Sequence, residues 1–437
     1  MKFISSLFLF ITISFSSFSQ TTEELSVSFI KQLEHHQYDS CYAMFDTVMA
    51  SKFSADMLEQ MWESLPKYMG EYKSYSTVTS EKKDSMDIVF VRCEFEKTKM
   101  DLQIAYNKSK KIAGMFFTMP KNKAAYVYPE YSLSHKFYET KIAVKTGAYT
   151  LPGVLCIPNT IKNPPVVILL AGSGPNDKDE AIGANRPLKD LAVGLASNGI
   201  ATYRYDKRTF VYRKEIAQNI NDFDINKEII EDAISAVNLI KKNPEFKLSK
   251  IYIVGHSLGA MCAPLIASKS KSVSGIVLLA GNARPLEDLV LEQSIYMCSL
   301  DSIDATEKKE IEKLNTQIKI VKDAKLLKTS TPDQLPLELT STYWQSLTKY
   351  NQLQVAKKIK QPILVLQGER DYQVTMIDFN LWKQNLNDNP KNQFISYPKL
   401  NHLLMKGEGK STPSEYEKQG NVDKKIIVDI ANWIKSK

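Results

Sequence analysis

The sequence predicts an α/β protein, a parallel sheet covered by helices on both faces, preceded by a small α+β domain. Three observations predict it. From about residue 135 onward short apolar runs recur: PPVVILLAG, GIATYRYD, KIYIVGHS, GIVLLAG, QPILVLQG and NQFISYP. Helical patterns separate most of them, in PLKDLAVGLASN, INKEIIEDAISAVNLIKK, LGAMCAPLIASKS and TMIDFNLWKQNL. A strand that is apolar at every position is buried on both faces, and helical crossovers are what connect parallel strands. In residues 20–120 the order is different, helices first and strands afterwards, which is the α+β pattern.

The elements follow in chain order. Lys2 precedes an apolar run, FISSLFLFITISF, and then Ser17-Phe18-Ser19. A positive start, a short apolar core and small residues at the end describe a secretory signal peptide over 1–19, cleaved after Ser19. The run is shorter than the ~20 apolar residues of a spanning helix, so stable membrane insertion is not expected. Export to the periplasm or the medium is the implied destination. Helical patterns then run through EELSVSFIKQLEHHQYDSCYAMF and ADMLEQMWESLPKYM. Alternating strands are predicted in EYKSYSTVTS, DIVFVRCEFE, MDLQIAYN and KIAGMFFTM. Residues 121–134 read as a linker.

The second domain spans 135–437. KFYETKIAVKTG and AYTLPGVLCIP read as a leading hairpin, and VDKKIIVDIANWIKS as a closing helix. Between about 283 and 358 no strand pattern appears. LEDLVLEQSIYMCSL, TEKKEIEKLNTQIKIVKDAK and STYWQSLTKYNQLQVAKKI are all helical, which predicts a helical insertion over the carboxyl edge of the sheet, where open α/β folds bind ligands.

Composition excludes other classes. With 43% hydrophobic and 24% charged residues the chain is an ordinary globular protein. A net charge of +8 is modest over 437 residues, and the lysines are scattered, so the concentrated basic face of a nucleic-acid binder is missing. The five cysteines are odd in number and widely spaced, without a CxxC or a Cys/His cluster of zinc spacing. Free buried thiols are expected, with Cys41–Cys93 as the one bridge that proximity in sequence suggests. No metal or cofactor site is legible.

The chemistry centres on Gly255-His256-Ser257-Leu258-Gly259, which directly follows the strand KIYIV and opens the helix LGAMCAPLIAS. In that context G-x-S-x-G is a nucleophile elbow: the turn is so tight that the flanking residues have to be glycine, and it lifts the serine hydroxyl clear of the sheet. A serine hydroxyl needs a base. Of the five histidines, His35 and His36 lie on the first helix, His135 is near the linker and His256 is inside the elbow. His402 alone follows the last strand, at the carboxyl edge. The base in turn needs a carboxylate. Asp371, after PILVLQG, is the choice, with Glu369 and Asp378 as fallbacks. The order Ser257, Asp371, His402 is the chain order of this kind of triad. Leu170-Ala171-Gly172-Ser173-Gly174-Pro175 offers a second oxyanion donor, the Ser173 N–H, beside that of Leu258. It lacks the Lys-Ser/Thr pair of a phosphate-binding loop. Gly172, His256, Tyr343 and Trp344 are the candidate substrate-binding residues. The charged stretch Arg204–Arg208 reads as a salt-bridged loop rather than an anion site.

The stretches AGSGPNDKDE, RPLKDLAVGLASNGIATYRYDKRT, VGHSLGAM, AGNARPLEDLVLEQ, QGERDYQVT and LNHLLMKGEGKSTPSEY resemble bacterial α/β-hydrolase esterases with a small N-terminal domain of unknown function. The likeness covers most of residues 135–437. It implies the α/β-hydrolase fold, with a mostly parallel eight-stranded sheet, and a secreted serine carboxylesterase acting on a small-molecule ester. It also implies the triad Ser257–Asp371–His402, with Ser173 and Leu258 as oxyanion donors. Lys178 stands where arginine is expected. Two other functions are open: an aminopeptidase of the same fold, for which Glu287, Asp288 and Glu292 would hold the substrate amine, and a non-catalytic binding protein. The oligomeric state is open as well.

Overall fold

The structure is a computed structural model that describes residues 20–83, 85–118, 126–300 and 303–437. The expected signal peptide and residues 121–125 of the expected linker lie outside the described residues. The chain falls into two compact units, Met1–Asn122 and Lys123–Lys437.

In the first unit the helix Thr22–Glu34 starts where Thr21 and Glu24 form a reciprocal capping box. That arrangement satisfies two of the N–H groups a helix start leaves free. The helix buries Phe29, Ile30 and Leu33. They pack against an antiparallel meander of β1 (Tyr72–Lys83), β2 (Met86–Phe95), β3 (Lys99–Tyr106) and β4 (Ile112–Thr118). Val89, Val91, Cys93 and Phe95 on β2, and Leu102, Ile104 and Tyr106 on β3, recur at the two-residue period of one sheet face. Cys41 and Cys93 are both free and buried: the Cys41 thiol donates to the Phe29 carbonyl and the Cys93 thiol to that of Val91.

The second unit begins with β5 (Phe137–Lys141), β6 (Val144–Thr146), β7 (Tyr149–Leu151) and β8 (Gly153–Pro158). The expected leading hairpin forms, its two arms paired in one register from Phe137↔Pro158 to Thr146↔Tyr149 and interrupted once. β5 pairs with β8 on the large sheet, while β6 and β7 form a small ribbon of their own. Pro152, which has no N–H to give a ladder, separates β7 from β8. Then come β9 (Val166–Leu170), β10 (Ala201–Tyr205), β11 (Ile251–His256), β12 (Val273–Leu279), β13 (Ile363–Gly368) and β14 (Gln393–Tyr397). Among the described residues the sheet has eight strands in the order β14-β13-β12-β11-β9-β10-β8-β5, parallel from β14 to β10.

Both faces are covered. Val166, Ile168, Leu170, Ile251 and Ile253 share one core with helices Glu231–Lys242, Leu258–Lys269 and Met376–Leu386. Val167, Leu169, Tyr252 and Val254 share the other with helices Pro187–Ser197 and Lys424–Lys435. This is why β9 and β11 read as unbroken apolar runs rather than alternating ones. Between β12 and β13 no described residue is in a strand. That interval holds helices Leu286–Cys298, Ala305–Lys322, Ser341–Thr348 and Gln352–Lys358.

The topology places the site. From β9 the chain moves to β10 on one side and then returns to β11 on the other. Loops leaving β9 and β11 therefore diverge, and a crevice opens at their carboxyl ends.

Candidate active site

β11 delivers Ser257 into that crevice. The residue has φ 52° and ψ −118°, a strained backbone for a non-glycine residue, and its N–H is held by the Leu279 carbonyl at 2.9 Å. The turn works only with small neighbours. A Cβ on Gly255 would lie 2.3 Å from the Gly259 carbonyl oxygen, and one on Gly259 would lie 2.6 Å from that of Leu170. Leu258 is the first residue of the following helix, so its N–H has no intrahelical acceptor.

The loop after β9 runs alongside. The Lys207 ammonium, on a side chain only 4% exposed as a residue, donates to the Gly172 carbonyl at 2.8 Å and to Glu228 at 2.6 Å. The Gly172 carbonyl and the Ser173 N–H belong to one peptide plane and point in opposite directions. Holding the carbonyl on Lys207 therefore aims the Ser173 N–H away from it. Ser173, Ser257 and Leu258 line one cavity.

β13 and β14 carry the remaining pieces. Asp371 is buried. One carboxylate oxygen accepts from the N–H groups of Gln373 (2.8 Å) and Val374 (3.0 Å). The other accepts from Gln367 at 3.0 Å and lies 2.8 Å from His402 Nδ1. His402 sits in a turn pinned by Asn401, whose side chain accepts from the Leu403 and Met405 N–H groups. Glu369 instead accepts from Ser396, and Asp378 binds the Ala283 and Arg284 N–H groups at the base of the helical insertion. His35, His36 and His135 are exposed.

Three candidate substrate-binding residues do not reach the cavity. The Gly172 N–H is turned inward to Glu180 at 2.6 Å. His256 is 3% exposed and its ring lies between Glu180 and the His402 carbonyl, because a side chain one residue before the serine points to the other side of the strand. Trp344 is fully buried in the core that the insertion shares with one face of the sheet, its indole N–H on the Pro336 carbonyl. Tyr343 does line the cavity, stacks on Phe223 and donates to Glu228.

The cavity measures about 920 Å³. Its wall is apolar over much of its extent, with Ile216 and Phe223 on one side and Leu286, Leu289, Val290 and Met297 of the insertion on the other. Every charge in the Arg204–Arg208 stretch has a partner: Arg204 pairs with Asp179 and Glu139, Asp206 with Lys178, Lys207 with Glu228 and Arg208 with Asp232. Lys178 thus serves the loop through its own N–H and its ammonium, both on Asp206.

Sequence reasoning missed Glu180 and Glu228, and read Lys207 only as part of a salt-bridged loop. Glu228 lies in a short π-helical turn, Asn226–Ile230, and no spacing rule marks it. The only available signal for the other two was charge in loops that leave apolar strands.

Among the described residues no group of His, Cys, Asp and Glu is arranged to hold a metal ion, and no helix is long and apolar enough to cross a membrane.

Residues 26–115 match a family model described as a protein of unknown function (DUF3887). Residues 185–409 match one described as serine aminopeptidase, S33. Esterase EstD of Thermotoga maritima is 34% identical over 406 residues, covering 93% of each chain. Among solved structures, a dienelactone hydrolase from Anabaena variabilis matches with TM-score 0.40 and 17% identity, over 69% of this chain and 99% of that one. An esterase from Pyrococcus furiosus matches with TM-score 0.43 and 18% identity, over 72% and 95%.

Proposed function

The chain belongs to the esterase family of α/β-hydrolase serine hydrolases, and on that premise we propose that it cleaves carboxylic esters through Ser257, His402 and Asp371. The observation that carries the reading is the Asp371–His402 hydrogen bond at the carboxyl edge where Ser257 opens into an apolar cavity.

Asp371 fixes the imidazole with its proton on Nδ1, which leaves Nε2 as the base. His402 takes the Ser257 proton as Oγ attacks the ester carbonyl. The N–H groups of Ser173 and Leu258 hold the oxyanion, in a site where donors need no reorganisation. The proton returns to the leaving alcohol. Water, deprotonated by His402, then attacks the acyl-enzyme and releases the acid.

The cavity argues for an ester with an apolar acyl chain. It also weighs against a free-amine substrate. Of the three acids that could hold an amine, Asp288 pairs with Lys322, Glu292 pairs with Arg284, and Glu287 is buried and does not line the cavity. The family description keeps an aminopeptidase as the second reading; the acidic residues lining the cavity are Glu228, which pairs with Lys207, Glu310 and Glu338. Turnover of p-nitrophenyl esters that is lost in Ser257→Ala, with aminoacyl amides left uncleaved by the wild type, is the expected result. Retained ester turnover in that variant sinks the assignment. Export through residues 1–19 belongs to the same proposal, and the N-terminal residue of the secreted protein tests it.

A further inference from the structure

Behind Ser257 lies a buried glutamate–histidine pair that the acyl-transfer steps do not use. Glu180 and His256 are 1% and 3% exposed. Glu180 sits at the end of the oxyanion loop in a left-handed conformation, φ 53°, which a non-glycine residue keeps only where its surroundings hold it. Its Oε1 accepts the Gly172 N–H at 2.6 Å and lies 3.0 Å from His256 Nδ1. On the opposite side of the ring, Nε2 lies 3.0 Å from the His402 carbonyl oxygen. Glu180 Oε2 is buried without a hydrogen-bond partner, so the carboxylate is committed through one oxygen.

Both ring nitrogens of His256 thus face acceptors. A carboxylate and a carbonyl oxygen have no proton to offer, so each nitrogen has to donate, and only the imidazolium carries two N–H groups. A buried imidazolium needs a counter-charge, and Glu180 supplies it. The other titratable groups on this side are the His402 ring, whose centroid is 4.8 Å away, and Asp371 beyond it.

We propose that Glu180 and His256 form a buried carboxylate–imidazolium clamp that positions two active-site loops at once. Through the Gly172 N–H it holds the oxyanion loop one peptide before the Ser173 donor. Through the His402 carbonyl it holds the turn that carries the general base. Both are positioning residues, since neither lines the cavity. Burial disfavours the charged ring, but the Glu180 charge and the hydrogen bonds to Glu180 and His402 outweigh it and hold the His256 pKa above the ordinary imidazole value. The clamp rests on the assignment of Ser257, His402 and Ser173 made above.

Proton–nitrogen NMR of ¹⁵N-labelled wild-type enzyme tests it, since five histidines are few enough to assign. At about pH 8, where an ordinary histidine of pKa about 6.5 is neutral, His256 is expected to keep two ring N–H protons. Glu180→Gln preserves the shape and removes the charge. It is expected to lose one of those protons and to lower kcat about tenfold to a hundredfold with KM changed less than about threefold. A single ring N–H on wild-type His256 at that pH overturns the clamp, and so does a folded Glu180→Gln enzyme with wild-type kcat. If Glu180→Gln does not fold, the wild-type spectrum decides alone. Labelling by a fluorophosphonate separates the two layers: an unlabelled wild-type enzyme removes Ser257 as nucleophile but leaves the two-proton signal standing.

Discussion

The Asp371 carboxylate lies 2.8 Å from His402 Nδ1 while its second oxygen holds the N–H groups of Gln373 and Val374. The acid is therefore fixed in place by the backbone before it orients the base. Asp371→Asn keeps the volume but offers the ring a donor as readily as an acceptor, which favours the wrong tautomer. The expected outcome is a fall in kcat of about 10⁴ with the fold retained, read from ester hydrolysis and circular dichroism.

At the elbow the decisive contact is steric. A methyl group on Gly255 would meet the Gly259 backbone at 2.3 Å, and backbone cannot swing aside as a side chain can. Gly255→Ala is expected to cost about 1–3 kcal/mol of stability and to abolish turnover. Urea unfolding and a fluorophosphonate label report the two effects separately.

Lys207 is buried against Glu228 and aims the Ser173 N–H by holding the Gly172 carbonyl. Lys207→Met strands the Glu228 charge and should destabilise the fold by about 3–5 kcal/mol. Adding Glu228→Gln should recover part of that stability but none of the lost kcat, because the carbonyl still has no ammonium. Recovery of both would show that Lys207 serves stability alone.

The insertion forms one wall of the cavity, and Leu289 is a buried part of it. Leu289→Trp fills cavity space that the acyl chain would occupy. Octanoyl ester kcat/KM is expected to fall about tenfold or more, with acetyl ester hydrolysis within about twofold. A matched loss on both esters would mean that the acyl chain lies elsewhere.

Asp190 gives a pH signature. It is fully buried and accepts from Tyr126 at 2.6 Å and from the Val422 N–H at 2.8 Å. Burial raises its pKa to about 6, although the hydrogen bonds from Tyr126, Val422 and Asn421 oppose the rise. A folded-state value above the unfolded one means that the native state binds the proton more tightly. Its stabilising contribution is then complete below about pH 4 and lost as pH rises through about 6. Urea unfolding at several pH values should show this loss in wild type and not in Asp190→Asn.

Much of the fold was legible in the sequence. Runs such as Val166–Leu170 and Ile251–Val254 are apolar at every position because both sheet faces are covered, and that pattern needs no knowledge of neighbours. The elbow was legible for a similar reason. Gly255, Ser257 and Gly259 are held together by a local turn, so their spacing along the chain is already their geometry. Asp371 and His402 could be picked out by the strands they follow. The leading hairpin was legible too, because its two arms are adjacent in sequence and pair in one register around a tight turn. His256 and Trp344 were misplaced because residue type does not say which way a side chain faces. Glu228 left no signal, and Glu180 and Lys207 none beyond their charge, since buried charges are recognisable only by their partners, and here those partners are up to 115 residues away. The sequence by itself determined the strands, the covered sheet and the serine turn, all products of local pattern. Only the tertiary structure decided what surrounds Ser257, because the Glu180–His256 and Lys207–Glu228 pairs form by distant loops meeting at one sheet edge.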